Sequence, residues 1–529
     1  MNAAQEQRTF GRATVVRLPA MVRGTLRIPA WPLVGEVTAA VRSGARVVGP
    51  TSTGSFLLSR AVIDRATFVP TGEIQILLLP AIDPGDLPEP DPAAAIRDLM
   101  DLPVKDVCDF VDAVGAHLRV PTQDYGAGVD ARSSGVDDRW HAASRAAVAG
   151  MFDGAGVRAM LEVELGATLL GALDRWTPVA GTVRDGVTAQ MAMRHKQFRF
   201  ESPGSTQPRV RGLPTTQLHI TAGNSPVVPA TSLLWAWASK GAVVLKPAAD
   251  LAALASDLAA AVAAVDGASG GGARHPLARH TTIAYWPGGN SQLEADLMAP
   301  GAFGRRVVWG SAQAIASVAQ RSPASDLIMM RPRHALSLLC AQDDLAGAAR
   351  RAVADSVVAD QGACMSSLLH VVEGSPRDAD AYADQVVDVL ASWDTNLPHR
   401  TSDRVAAELQ NLRRGLLATA DWRLNGSWPR PSSLVVRCDR SVDLERHPGG
   451  RLILVRAVPD LRAALPSLLA GDVSHVGVSA HLLTDTLRDD LVAQGVDNVL
   501  PLGAAEQTYA GRPHDGMRVL TRLVRWVNG

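Results

Sequence analysis

Cysteine is scarce in this chain: 529 residues hold four, Cys108, Cys340, Cys364 and Cys438, far apart and without a CxxC pair. That spacing suggests neither a disulfide framework nor a zinc site, so each thiol is judged by its own surroundings. A charge imbalance is also missing. The 52 basic and 53 acidic residues nearly cancel and are scattered, which leaves no long-range field to hold a nucleic-acid backbone or an anionic membrane. No apolar run reaches the roughly 18 residues of a membrane span, and the opening MNAAQEQRTFGR lacks a charged leader followed by an apolar stretch. A cytoplasmic protein acting on small molecules is expected. What is present, 47% hydrophobic and 20% charged residues, is material for buried cores in two or three domains.

Three regions follow from the patterning. Residues 1–92 read as short β-type runs, such as ARVVGP and EIQILLLPAI, closed by the proline-rich DPGDLPEPDP. Residues 93–334 begin as a helical layer with apolar spacings of three and four, broken near VPTQDYGAGVD. From Thr216 they change to an alternation of short apolar runs and amphipathic segments: TQLHITAG, PATSLLWAWASKG, AVVLKPA, a helix capped by Asp250, TTIAYWPGG, RRVVWG and SAQAIASVAQR. This is the βαβ pattern of a doubly wound parallel sheet, which binds ligands at the carboxyl ends of its strands. Residues 335–529 repeat the alternation with HALSLLCA, SSLLHVVEG, SSLVVRCD, RLILVRAV and SHVGVSA, and the C-terminal segment is expected to return to the preceding domain. The glycines of DGASGGGARHP (266–276) follow a helix and precede a strand, the reverse of a phosphate loop, and read as a connector.

Cys364 occupies a short glycine-containing connection, VADQGACMSS, between a predicted helix and a predicted strand. A thiol there can meet a ligand and act as a nucleophile, or simply fill space; the local motif alone leaves both readings open. Cys340 and Cys438 lie in or at the end of apolar strands and Cys108 in the helical KDVCDF, where packing is the natural role. Asn224 ends the first strand of the alternation in TAGNSPVV, as an amide donor or as a turn former.

The series HITAGNSPVVP, VVLKPAADL, YWPGGNSQLEADL, VVWGSAQAI, RPRHALS, ADQGACMSSLLHVVEG and GRPHDGMRVLTRLVRWV resembles, in order and spacing, the LuxC acyl-CoA reductases of bacterial bioluminescence, within the aldehyde dehydrogenase superfamily, over about residues 210–529. The resemblance implies an aldehyde dehydrogenase-like α/β fold with a doubly wound cofactor-binding domain, an α/β catalytic domain and a small β-rich N-terminal region. It implies that Cys364 is the nucleophile and that the Asn224 amide, with the Cys364 backbone N–H, stabilises an oxyanion. Lys246 would bind the adenosine ribose or its phosphate, and Gly310 and Ser311, opening a helix after a strand, would meet the pyrophosphate. Where many NAD-preferring relatives place a ribose-binding glutamate, this chain has Ala249, which points to NADPH, with NADH possible.

Aldehyde-oxidising relatives carry a water-activating glutamate in the segment that corresponds here to LIMMRPRHALSLLCAQ. This chain has no carboxylate between Asp326 and Asp343, which argues for aldehyde formation from an acyl thioester through an acyl-cysteine. The resemblance further implies an acyl-CoA or carrier-bound acyl donor, a homo-oligomer and room for an acyl-transferring partner enzyme. His334 is a candidate proton carrier or a structural histidine; His370, Glu373, His514 and Asp515 read as architectural. Arg331, where the family has glycine, and Asn498, where it often has arginine, depart from the pattern. Three other readings stand beside this one: aldehyde oxidation on the same fold, a non-catalytic member of it, and a cysteine acyltransferase or hydrolase without nicotinamide.

Overall fold

The computed structural model describes all residues except 1–6, 46, 50, 64–69, 121–137, 181–186, 195–206, 269–273, 290, 398–402, 418–421, 425–432 and 441. The break at VPTQDYGAGVD and the centre of the glycine-rich connector fall outside the described residues.

The predicted alternation from Thr216 builds four strands of a parallel sheet, Thr216–Ile220, Ala242–Lys246, Thr281–Ile283 and Arg305–Trp309, and an unpredicted fifth, Leu327–Met330, joins them at the edge. Numbered along the chain, they lie side by side in the order 3-2-1-4-5. The chain therefore reverses direction across the sheet between Thr216–Ile220 and Arg305–Trp309, and the crevice outside their carboxyl ends is where such a sheet receives a ligand. These strands read as continuous apolar runs because helices cover both faces. Val227–Ala238 is one of them; ten of its twelve residues are buried, so it is apolar all round rather than along one stripe.

The N-terminal region supplies two things. A five-stranded sheet includes Ala13–Arg17 between Gln7–Phe10 and the long strand Pro70–Pro80. A hairpin, Ala20–Val22 with Thr25–Arg27, extends the cofactor-type sheet through an antiparallel pairing of Met21 with Ile283. Asp250 is not a helix cap: Pro247 and Ala248 leave the strand extended and start a 3-10 turn, Ala249–Leu251, that runs into the helix Ala252–Ala268, so Asp250 sits inside the first turn.

The second α/β unit is a seven-stranded sheet with Trp422–Leu424 antiparallel at one edge, then Leu434–Cys438, Leu452–Val458, Ser367–Glu373, His334–Cys340, Val473–Val478 and Asn498–Pro501, all parallel. The last strand of the chain, Arg525–Asn528, pairs with Arg209–Leu213, immediately before the first strand of the other sheet. This C-terminal segment is pinned by Thr215 Oγ1 donating to Leu523 O (2.8 Å), by Leu520 N–H donating to the buried Glu164 carboxylate (2.9 Å) and by Arg522 donating to Leu327 O (3.0 Å).

Candidate active site

The crevice of the five-stranded sheet is built from two turns. After Ile220 the chain runs through Gly223 and Asn224 into the apolar helix. After Trp309 it passes Gly310 to Ser311, whose hydroxyl caps the next helix by accepting from Ala314 N–H (3.2 Å). A side chain at Gly310 would press on the Ala314 methyl at 3.3 Å, so the turn stays tight and the helix start stays open, the arrangement that receives a phosphate.

Lys246 ends the neighbouring strand with its ammonium 5.5 Å from the ring centres of both Tyr285 and Trp286. Burial pulls its pKa down to about 8, against the pull of the Glu294 charge. Ala249 contributes no carboxylate, as the sequence implies. Asp250 does: its carboxylate lies 3.5 Å from where a Gly223 side chain would begin, which brings an acid to the crevice one residue later than the reading of Ala249 anticipated.

The Cys364 loop enters from the other sheet. Cys364 precedes the strand Ser367–Glu373, so it lies at the amino end of that sheet. The loop turns sharply: Ala359, Asp360 and Gln361 take consecutive left-handed conformations (φ 45°, 56° and 64°). For residues with a Cβ this costs about 1–2 kcal/mol each, so the surroundings must hold the turn. Asp360 is held by Arg451, whose Nε lies 2.7 Å from the carboxylate; Arg451 is fully buried and also binds Asp394 (2.5 Å) and donates to Leu397 O (2.8 Å). Gln361 donates its amide to Leu452 O (2.7 Å) and Ser367 O (3.2 Å), and Ser366 donates to Val358 O (2.8 Å).

The two turns meet. Asn224 donates its side-chain amide to Gly362 O at 2.6 Å, across 138 residues of sequence. A side chain at Gly362 would crowd Asn224 O at 3.1 Å and Ala359 O at 3.0 Å, so glycine is what permits the approach. An asparagine amide has two N–H groups, and the second is not used by this bond.

Burial pushes the Cys364 thiol up to about 11, and the Asp515 charge adds to the rise; its own backbone N–H, Arg512 and the Met365 N–H oppose it. Arg512 and Asp515 belong to the C-terminal loop 511–517, of which the sequence reading treated His514 and Asp515 as architectural and did not single out Arg512. That loop is seated by His514, whose ring stands edge-on to Trp309 (4.9 Å between centres) and Trp235 (5.4 Å), while the two indoles stack at 5.5 Å. Trp309 adjoins Gly310, so the same cluster ties the C-terminal loop to the crevice. Arg512 also lies 3.3 Å from His475 Nε2. Asp515 is itself raised to about 6, chiefly by burial.

Other candidates fall elsewhere. His370 is a core histidine, fully buried and bonded to Ser356 (2.8 Å) and Tyr382 (2.9 Å). Glu373 accepts from Leu461 N–H (2.8 Å). His334 opens its strand beside Asp472 and near the half-buried His447, and burial lowers its pKa. Cys438 is buried in its strand, and Cys340 ends its strand, far from Cys364. Arg331 is exposed, and its charge reaches Asp515; Asn498 pairs in register with His475 at the sheet edge.

Among the described residues no helix is long and apolar enough to cross a membrane. The fold is similar to solved aldehyde dehydrogenases. Aldehyde dehydrogenase 21 of Physcomitrella patens superimposes with a TM-score of 0.64 at 12% identity, over 89% of this chain and 94% of that one. The NADP-dependent glyceraldehyde-3-phosphate dehydrogenase of Bacillus halodurans gives 0.60 at 14%, over 97% and 98%. By sequence, the chain is 25% identical over 319 residues to the long-chain acyl-protein thioester reductase of Photorhabdus laumondii, covering 59% of this chain and 63% of the relative. It is 24% identical over 351 residues to that of Vibrio harveyi, covering 65% and 70%. The match thus spans under two thirds of the Photorhabdus protein. The sequence profile described as acyl-CoA reductase (LuxC) matches residues 187–526, well over half of the chain and all of the site just described, and the chain belongs to that family.

Proposed function

We propose that this protein reduces an acyl thioester to the aldehyde, with Cys364 carrying the acyl group. The observation that carries the reading is the bond from Asn224 to Gly362, which sets the end of a dinucleotide-type crevice against the loop of a thiol. The names of the family and of its relatives supply the substrate class, a long-chain acyl thioester. The donor is read as coenzyme A or an acyl carrier, the latter leaving room for an acyl-transferring partner enzyme, and the protein as a cytoplasmic homo-oligomer.

The chain's own groups divide the work. Cys364 sulfur attacks the thioester carbonyl carbon, the C–S bond to the donor breaks, and the donor thiol leaves with a proton. The Cys364 proton passes to the departing donor thiol, and Arg512 favours the thiolate against the Asp515 charge. The spare Asn224 N–H and the Cys364 backbone N–H hold the oxyanion; one such donor is worth ~3–4 kcal/mol of barrier. Lys246, Ser311 and the helix start after it would hold a nicotinamide dinucleotide, which when bound supplies the hydride. Cys364 then releases the aldehyde and recovers its thiolate. No carboxylate in 327–342 activates water against the acyl-cysteine.

NADPH is the proposed donor on Lys246 and Ala249, and Asp250 is the group that opposes a 2′-phosphate. The test is oxidation of NADPH and of NADH by purified protein across a panel of acyl-CoA chain lengths, with the aldehyde trapped as a hydrazone. Aldehyde in step with NADPH consumption supports the reading; no aldehyde from any thioester with either nucleotide defeats the free-CoA form of it.

A further inference from the structure

The second sheet reverses direction as well. Its strand Ser367–Glu373 lies on one side of His334–Cys340, and Val473–Val478 lies on the other. The crevice between the carboxyl ends of His334–Cys340 and Val473–Val478 is therefore a second point at which a doubly wound sheet receives a ligand. Cys340 stands opposite Glu373 in register, a strand length from Cys364, roughly 20 Å at the usual rise per residue. The catalytic reading leaves this end of the molecule unused.

Three metal-ligating side chains converge there. Cys340 ends one strand, Asp343 follows in the same loop, and His481 follows the other strand; their ligand atoms all lie within 4.8 Å of one another. Asp343 is aimed by the Cys340 N–H (2.8 Å) and lies 2.7 Å from His481 Nδ1. Only His481 is exposed; Cys340 is buried and the Asp343 side chain is 5% exposed. Ser479, 1% exposed and two residues before His481, lies beside the same Asp343 carboxylate.

We propose that Cys340, Asp343 and His481 bind a divalent metal of the zinc class, as a three-ligand site whose fourth position is open to water. One sulfur, one nitrogen and one oxygen suit a borderline-soft, tetrahedral ion rather than calcium or magnesium. Tetrahedral zinc with bonds of about 2.0–2.3 Å needs ligand atoms roughly 3.2–3.8 Å apart. The three ligand atoms lie within 4.8 Å of one another, and His481 is exposed, so its ring has room to adjust. Binding expels the Cys340 proton and clamps the two strand ends together. The site is independent of the acyl-cysteine chemistry, so either proposal can fail alone.

The experiment is a Co2+ titration of the full chain carrying Cys364→Ala, which removes the reactive thiol as a competing ligand. The expected result is one equivalent of Co2+ giving a near-ultraviolet sulfur-to-cobalt charge-transfer band and visible tetrahedral bands, displaced by Zn2+. Adding Cys340→Ser should abolish the charge-transfer band, and adding His481→Ala, on the surface and outside the core, should weaken binding at least tenfold. Absence of the band in the Cys364→Ala protein, or its persistence unchanged in the His481→Ala protein, overturns the site.

Discussion

The two parallel sheets face the candidate active site with opposite ends. The dinucleotide-type sheet offers the carboxyl ends of its strands, and its contribution is made by ordinary βα turns: a glycine, a capping serine, an asparagine before a helix. The other sheet offers its amino end, where no such turn exists, and Cys364 is presented by three left-handed residues braced on a buried arginine. One half of the site is a property of the topology. The other half had to be built by side chains, and that is where substitutions should act on structure and chemistry together.

Changes in the two halves should therefore behave differently. The largest effect is expected for Cys364→Ala, with aldehyde formation lost and the unfolding midpoint unchanged, read by product assay and denaturation. Next is Arg451→Met. Removing one partner of a buried charge pair costs about 3–5 kcal/mol, so urea unfolding should show a loss of that order together with impaired reduction. Stability kept with activity lost would mean that Arg451 does not brace the loop.

On the opposite side, Asn224→Ala should lower kcat by about 10²–10³ while leaving stability near wild type, because Asn224 is exposed and its bond to Gly362 is peripheral to both cores. A large stability loss there would erase the contrast between the two halves.

The seam gives a pH test. Burial raises Glu164 to about 7 from an ordinary 4.5, while Leu520 N–H and Arg518 oppose the rise. The folded state thus holds this proton more tightly than the unfolded chain. The resulting stability is full below about pH 4.5 and is lost as pH rises through 7, by roughly 3 kcal/mol for a shift of this size. Glu164→Gln should flatten that loss relative to wild type in unfolding curves between pH 5 and 8. The smallest effect is expected for Asp250→Ala: relief of one charge at the crevice mouth, roughly 1 kcal/mol, should raise the NADPH-to-NADH preference about fivefold in kcat/KM.

The same contrast explains what the sequence made legible. Alternation of apolar runs and helices located four of the five strands of the dinucleotide-type sheet, missing the short edge strand Leu327–Met330, and Asn224, Lys246, Gly310 and Ser311 follow strand ends because that topology leaves them nowhere else. Arg451, Asp360 and Asp394 were missed. Each is an unremarkable charge in its own segment, and only the fold brings Arg451 to partners 57 and 91 positions away, too far for any local period to register. Asp515 was visible in GRPHDG yet read as architecture, and Arg512 was not singled out, since nothing local ties residues 512 and 515 to residue 364. Asp250 was read as a helix cap because the 3-10 turn Ala249–Leu251 after Pro247 was not anticipated.

The central claim, that Cys364 carries the acyl group, is tested most directly without any nucleotide. The purified protein is incubated with a long-chain acyl-CoA, quenched in acid and mapped by peptide mass, and a parallel sample receives NADPH before the quench. The account predicts the acyl mass on the peptide that contains Cys364, absent from Cys364→Ala and discharged as aldehyde on addition of NADPH. An acyl group on another residue, or one on Cys364 that leaves as free acid at the same rate with and without NADPH, would contradict it.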